Sequence, residues 1–234
     1  NYLLNRGYTE QELVAADMVK RGKKGGLYDS FRNRVMFPII DIRGNVIAFG
    51  GRVLDDSKPK YLNTNDTVVY KKSRSLFAFG FAKAAGKRKL ILTEGYMDTI
   101  AVHAAGFENA VATCGTALTA EQARMMAGIA DEIIIAYDSD GPGQTATRRA
   151  MNILSQAGLT SRVLKMEGAK DPDEYIKKFG AARFGVLLEQ SENVMDYQLE
   201  ELLRQYDITT SNGKIEYLRR SAALLAEVER QDER

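Results

Sequence analysis

The chain has 234 residues, 44% of them hydrophobic and 27% charged, with one Cys, one His and no Trp. That suits one large domain or two small ones with a true apolar core and excludes a disordered chain. A single Cys excludes a disulfide framework, and together with a single His it excludes a Cys/His zinc site; a Ser-His-Asp triad would have to run through His103 alone. The net charge of +2 hides an asymmetry: residues 1–90 carry 18 Lys and Arg against 8 Asp and Glu, and the remaining 144 carry 15 against 23. The asymmetry suggests that one part meets a polyanion and another holds cations or folds separately; solvated surface charge that happens to cluster is the plain alternative, and the motifs decide between them.

Residues 1–88 open on NYLLNRGYTEQEL, a short helical pattern without an initiating Met, which reads as an excised fragment. The apolar runs VMFPII and NVIAFG then flank Asp41-Ile42-Arg43-Gly44 and predict an antiparallel hairpin with Gly44 in the turn. From 89 to about 166 short strands, LILT (90–93), AVAT (110–113), IIIAY (133–137) and RVLK (162–165), alternate with helices starting near Met97, Ala120 and Gln144. That alternation predicts a parallel sheet with right-handed crossovers. The stretch from about 172 to 234 shows helical spacing only, with no strand signal. The expected class is α/β: a parallel sheet with flanking helices (89–171), preceded by a mixed α+β basic unit (1–88) and followed by a helical one (172–234). No apolar run approaches the ~18 residues of a membrane span, and no signal peptide is visible, so a cytoplasmic protein without a membrane partner is expected.

Ligands of open parallel sheets bind beyond the carboxyl ends of the strands. Here LILT runs into Glu94-Gly95 and a helix opening on Asp98, IIIAY into Asp138-Ser139-Asp140-Gly141, and RVLK, after a short loop, into Asp171-Pro172-Asp173-Glu174. Carboxylates gathered at one edge repel unless a cation neutralises them, and hard oxygen donors suit Mg²⁺ or Mn²⁺. Asp98 also reads as an ordinary first-turn acid, and Asp171 as an N-cap with Pro at N1 and a capping-box Glu at N3. Asp138 and Asp140, with glycines at 141 and 143, look like a poor helix start and a good ion site. An EF-hand counted from Asp138 would place Arg149 where Glu is needed, a haloacid-dehalogenase phosphatase would not have Pro142, and GPGQT lacks the lysine of a P-loop.

LILTEGYMD followed by IIIAYDSDGPG resembles the Toprim signature. With FRNRVMFPI, GGRVLDDSKPKYLN, CGTALT and DPDEYI in order, nearly the whole chain resembles the RNA-polymerase core of bacterial DnaG-type primases. The resemblance implies a Toprim fold and a DNA-directed RNA polymerase that makes short RNA primers on single-stranded DNA at the replication fork. It implies Glu94, Asp138 and Asp140 as catalytic, and Glu94, Asp98, Asp138, Asp140, Asp171 and Asp173 around two or more Mg²⁺ or Mn²⁺ ions. Arg32, Arg34, Arg52, Lys60, Asn63, Lys71, Lys72 and Arg74 would meet template and nucleotide phosphates, with Tyr61, Tyr70 and Phe77 interleaved for base stacking. Gly50-Gly51 allows close backbone approach to a ligand, or a bulge. The implied partners are single-stranded DNA, ribonucleoside triphosphates and the RNA primer, for a monomer. The family's zinc ribbon and helicase-binding domain are expected to lie outside this chain, and with them the zinc and the replicative helicase. His103 and Cys114 are expected as packed residues. The alternatives are another Toprim activity, nuclease- or topoisomerase-like, or a non-catalytic DNA-binding scaffold.

Overall fold

The structure, a computed structural model, describes residues 2–23 and 25–232, with side-chain surroundings as far as residue 226. It begins with α1 (Tyr2–Asn5) and α2 (Glu10–Ala15), the latter started by a Thr9–Glu12 capping box. A small antiparallel pair, β1 (Val19–Arg21) and β2 (Leu27–Asp29), follows. The predicted hairpin is β3 (Arg34–Ile40) and β4 (Val46–Val53), and β5 (Tyr61–Asn63) completes a sheet ordered β3-β4-β5. Asp41 Oδ1 accepts from the backbone N–H groups of Arg43 and Asn45, and Gly44 sits at φ +87°, so the turn is an Asx turn closed by its glycine. Pro38 can occupy β3 because β3 is an edge strand.

A 3₁₀ turn (Lys72–Arg74), β6 (Leu76–Phe77) and α3 (Phe79–Ala84) lead into the second unit. There β7 (Lys89–Thr93), α4 (Tyr96–Ala104), β8 (Ala110–Thr113), α5 (Ala120–Ala127), β9 (Glu132–Ala136), α6 (Gly141–Gln156) and β10 (Thr160–Val163) alternate as predicted. The C-terminal elements are α7 (Pro172–Phe179), α8 (Ala181–Glu189), β11 (Glu192–Asn193), α9 (Val194–Gln205) and α10 (Ser211–Asp232). The six-stranded sheet is ordered β11-β10-β9-β7-β8-β6, its four inner strands parallel and its two outer ones antiparallel. Alternation along the strands makes both faces apolar. Leu90, Leu92, Ile133 and Ile135 enter a core roofed by Met126, Met151, Leu154 and Tyr197, whereas Ile91, Ile134 and Ala136 enter one closed by Val102, Tyr175, Phe184 and Leu188.

Three expectations change here. The stretch after 172 does hold a strand, β11, whose two residues are too few for periodicity to register and which exists through its ladder with β10. β6 and α3, ahead of the division drawn at 88/89, and α7, α8 and β11, beyond the one at 171/172, all take part in the packing of this sheet. Gly50-Gly51 is neither a bulge nor a ligand approach. A Cβ on Gly50 would stand 2.4 Å from the Tyr96 ring, and one on Gly51 2.9 Å from Phe31, so the glycines let aromatic rings lie on β4. The only register shift between β3 and β4 is at Ile39/Ile40. Gly50→Ala should therefore destabilise the fold by about 1–3 kcal/mol through overpacking against Tyr96. Chemical denaturation checks this; an unchanged midpoint would show that the ring yields freely.

Candidate active site

β7 lies between β9 and β8, so successive connections leave it in opposite directions and a crevice opens beyond the ends of β7 and β9. Glu94 is the first residue past β7, and Asp138 follows β9 after Tyr137. The Asp138 N–H donates to Glu94 Oε1 at 3.1 Å, fixing the two strand ends to each other. Asp98 projects from the first turn of α4. Asp171 is the N-cap of α7, accepting from the Glu174 N–H at 2.7 Å, with Pro172 and Asp173 next in the helix. The reciprocal half of the predicted capping box lands one residue earlier: Glu174 Oε2 accepts from the Lys170 N–H at 3.0 Å.

These elements enclose a cleft of about 690 Å³. Six carboxylates, Glu94, Asp98, Asp138, Asp171, Asp173 and Glu174, line it together with Arg52 of β4, Lys60 just ahead of β5, Tyr61 and Asn63 of β5, and Lys170 and Lys177. Tyr61 keeps 40% of its surface exposed, with Arg52 and Lys60 within 6 Å of its ring centre. Asn63 Oδ1 accepts from the Tyr96 hydroxyl at 2.6 Å, which ties the three-stranded sheet to α4.

Not every predicted residue arrives. Asp140 does not line the cleft: its carboxylate accepts from the Gly143 N–H at 2.8 Å as the N-cap of α6. The loop expected to be a poor helix start is therefore a helix start at Gly141, and the glycine at 143 is what permits it. A Cβ there would lie 2.1 Å from the Asp138 carbonyl oxygen. Arg34 donates to the backbone carbonyls of Gly51 (3.4 Å), Pro59 (2.8 Å) and Lys60 (3.2 Å), clamping the β4–β5 connection. Arg32 lies over Tyr28, Lys71 pairs with Asp66 at 3.7 Å, and neither these two nor Lys72 and Arg74 line the cleft. Tyr70 is fully buried and Phe77 packs on Tyr96 at 4.7 Å, so of the three aromatics offered for stacking only Tyr61 lines the cleft. His103 Nε2 sits 2.9 Å from the Ala110 carbonyl oxygen, and Cys114 is buried with its thiol pushed up to about 11 by desolvation. Both are packed residues, as expected.

Lys170 and Lys177 escaped the sequence reading. The i,i+4 spacing of Lys177 from Asp173, here a 2.6 Å ion pair, was the available signal. Gly143 escaped too, since nothing in sequence separates its steric need from the freedom of Gly141.

Crowding is visible in the proton affinities. Burial, then the charges of Asp171 and Asp138, push Asp98 up to about 7. Burial, then Asp138, raise Glu94 above the usual carboxylate range against the lowering effect of the Asp138 N–H; burial, then Asp171 and Asp140, raise Asp138. A folded-state pKa above the unfolded one gives stability that is full below the unfolded value and is lost as pH rises through the folded one. In chelator at pH 8, Asp98→Asn should thus be more stable than the wild type, on the order of 1–3 kcal/mol, with the gap closing toward pH 4. Urea unfolding across that range measures it; parallel pH profiles would show that Asp98 is not strained.

Among the described residues no group of three or more His, Cys, Asp or Glu side chains closes on one point. Glu94, Asp98, Asp138, Asp171, Asp173 and Glu174 bring hard oxygen donors of the kind Mg²⁺ or Mn²⁺ takes, and the raised proton affinities of Glu94, Asp98 and Asp138 mark a shortage of positive charge.

Three family models match the chain: the N-terminal domain of the DNA primase catalytic core at residues 1–83, a Toprim-like domain at 91–176, and the DnaB-helicase binding domain of primase at 195–234. The last corrects the expectation that helicase-binding sequence lies outside the chain, since it falls on α9 and α10. The DNA primase of Clostridium acetobutylicum is 40% identical over 230 residues, 98% of this chain but 38% of the relative. The chain thus spans about two fifths of the length of such curated relatives. Among solved structures, a DnaG primase catalytic domain bound to single-stranded DNA superposes with a TM-score of 0.82 at 33% identity, covering 97% of this chain and 76% of that one. A DNA primase domain from Pseudomonas aeruginosa gives a TM-score of 0.83 at 34% identity, covering 97% and 74%. Whole-length likeness of fold and sequence, with the acids at the sheet's switch point, means that the chain belongs to the bacterial DnaG-type primases, within their catalytic core.

Proposed function

We propose that this chain is the polymerising core of a primase that makes short RNA on single-stranded DNA from ribonucleoside triphosphates. The observation that carries this reading is the cleft itself, where six carboxylates from both strand ends and two helices share one volume with Arg52, Lys60, Lys170 and Lys177. Phosphoryl transfer asks chiefly for positioning and charge neutralisation, and this cleft offers both signs of charge within one small volume.

In the reaction the 3′-hydroxyl oxygen of the RNA end forms a bond to the α-phosphorus of the incoming nucleotide. The bond from that phosphorus to the oxygen bridging to the β-phosphate breaks, and pyrophosphate leaves. Glu94, its proton affinity raised by burial and by Asp138, is placed to take the hydroxyl proton as general base. The four cations hold the triphosphate, and Tyr61 offers a partly exposed ring to a template base. Mg²⁺ or Mn²⁺ bound by Asp98, Asp138, Asp171 and Asp173, with Glu94, would neutralise phosphate charge. Asp140 serves as the α6 cap behind Asp138 rather than as a ligand. The one Cys and the one His are both packed, so they form no Cys/His zinc site here.

The matched segment at 195–234 makes α9 and α10 the side that would meet a replicative helicase. Among the described residues no helix is long and apolar enough to cross a membrane, in keeping with work at a cytoplasmic replication fork.

The test is incubation with single-stranded DNA, labelled ribonucleotides and Mg²⁺ or Mn²⁺. Short RNA supports the reading; template binding without synthesis favours a non-catalytic scaffold, and template cleavage a nuclease. Template affinity should also fall with salt at a slope near 0.7 per phosphate contact. Arg52→Ala and Lys60→Ala should each remove about one contact from that slope. A salt-independent affinity would deny these residues the phosphate backbone.

A further inference from the structure

Two hollows meet at Glu94. Beside the acidic cleft a second one of about 320 Å³ opens between the loop after β8 and the flank of α6, and Glu94 lines both. Leu118 and Ala146 give it an apolar wall, Thr116 and Thr145 bring hydroxyls, and Arg149 stands at its side, exposed and with no carboxylate partner among the described residues. The first cleft carries four cations, enough for a triphosphate, whereas the second carries one, which matches a single phosphodiester.

Resting on the polymerase reading above, we propose that this second hollow seats the 3′-terminal nucleotide of the growing RNA. Arg149 holds the phosphate on its 5′ side, and Glu94 lies at its 3′-hydroxyl. Joining two nucleotides requires two sites that open onto the same reacting point, with the attacking oxygen about 3–3.5 Å from phosphorus. Glu94 and Thr113 line both volumes, and Glu94 is the ionisable one of the two. The hollow is at the small end of ligand sites, so it admits one nucleotide rather than a duplex. The apolar wall suits a base, and the threonine hydroxyls suit a ribose. Arg149 is a positioning residue: it fixes where the 3′-hydroxyl stands and takes no part in proton transfer.

The experiment measures binding of a fluorescein-labelled RNA dinucleotide, which has one internal phosphodiester, to the full chain without triphosphate. Arg149→Glu should weaken that binding about tenfold, Arg149→Lys should largely retain it, and Lys60→Ala should leave it near the wild-type value. In primer extension Arg149→Glu should raise KM for the RNA end about tenfold, with kcat at saturating primer and KM for the incoming triphosphate near wild type. Undetectable dinucleotide binding by the wild type, equal binding by Arg149→Glu, or a loss that appears in Lys60→Ala instead would overturn the assignment. Binding that depends on Arg149 in a wild type that makes no RNA would support the hollow as an RNA-end site and sink the polymerase reading.

Discussion

Glu94→Gln is expected to fold like the wild type and to lose RNA synthesis by two to four orders of magnitude, about the range a positioned general base contributes. Gln has nearly the same size, and its side-chain oxygen can still accept from the Asp138 N–H that bridges the two strand ends. What it cannot do is take a proton from the attacking hydroxyl or lend negative charge to the cleft. Stability should match or slightly exceed that of the wild type, since the removed carboxylate has a raised proton affinity, and affinity for single-stranded DNA should stay close to wild type, so the loss should fall on turnover. A purified variant that synthesises RNA at the wild-type rate would remove Glu94 from the chemistry.

Gly143→Ala should be the most damaging change outside the acids. Its Cβ would stand 2.1 Å from the Asp138 carbonyl oxygen and 3.0 Å from Glu94 Oε1, so the start of α6 or the Asp138 loop must move. We expect a stability loss on the order of 3 kcal/mol. In what still folds, turnover should fall roughly a hundredfold, the scale for catalytic groups displaced by about 1 Å. Gly141→Ala is the control, because a Cβ there meets nothing within 4 Å and the position needs no positive φ. It should leave activity alone and stabilise slightly, by about 0.4–1 kcal/mol. Equal behaviour of the two variants would mean that the loop tolerates crowding behind Asp138.

What could be read ahead of the structure divides along physical lines. The βαβ core was legible because LILT, AVAT and IIIAY are buried on both faces, so hydrophobicity alone marked them. Glu94, Asp98, Asp138, Asp171 and Asp173 were legible because they sit where parallel strands end or the following helices begin, a place fixed by topology. The capping role of Asp140 was not legible, because a carboxylate two residues from another reads equally as ligand and as cap. Only the orientation of α6, which brings the Gly143 N–H to it, decides between them. Arg34 and Tyr70 were misplaced for a related reason: charge and aromaticity are visible in sequence, but their partners, the carbonyls of Gly51, Pro59 and Lys60 for the one and the interior beside Cys114 for the other, are not. Lys170 and Lys177 were not legible because a lysine next to or four residues from an acid reads as an ordinary surface ion pair.

The outermost strands of the main sheet, β6 and β11, are each two residues long and run against the direction of the four inner strands. A parallel sheet normally ends in a row of unpaired amides on which another chain can add. Here each border offers a backbone too short to template a further strand. At one border Glu192 of β11 is held in an ion pair with Lys165 at 2.7 Å, so a charged pair stands where an approaching strand would need an apolar face. The sheet is thereby guarded against growth by its own margins, and its hydrogen-bonding backbone stays within the molecule.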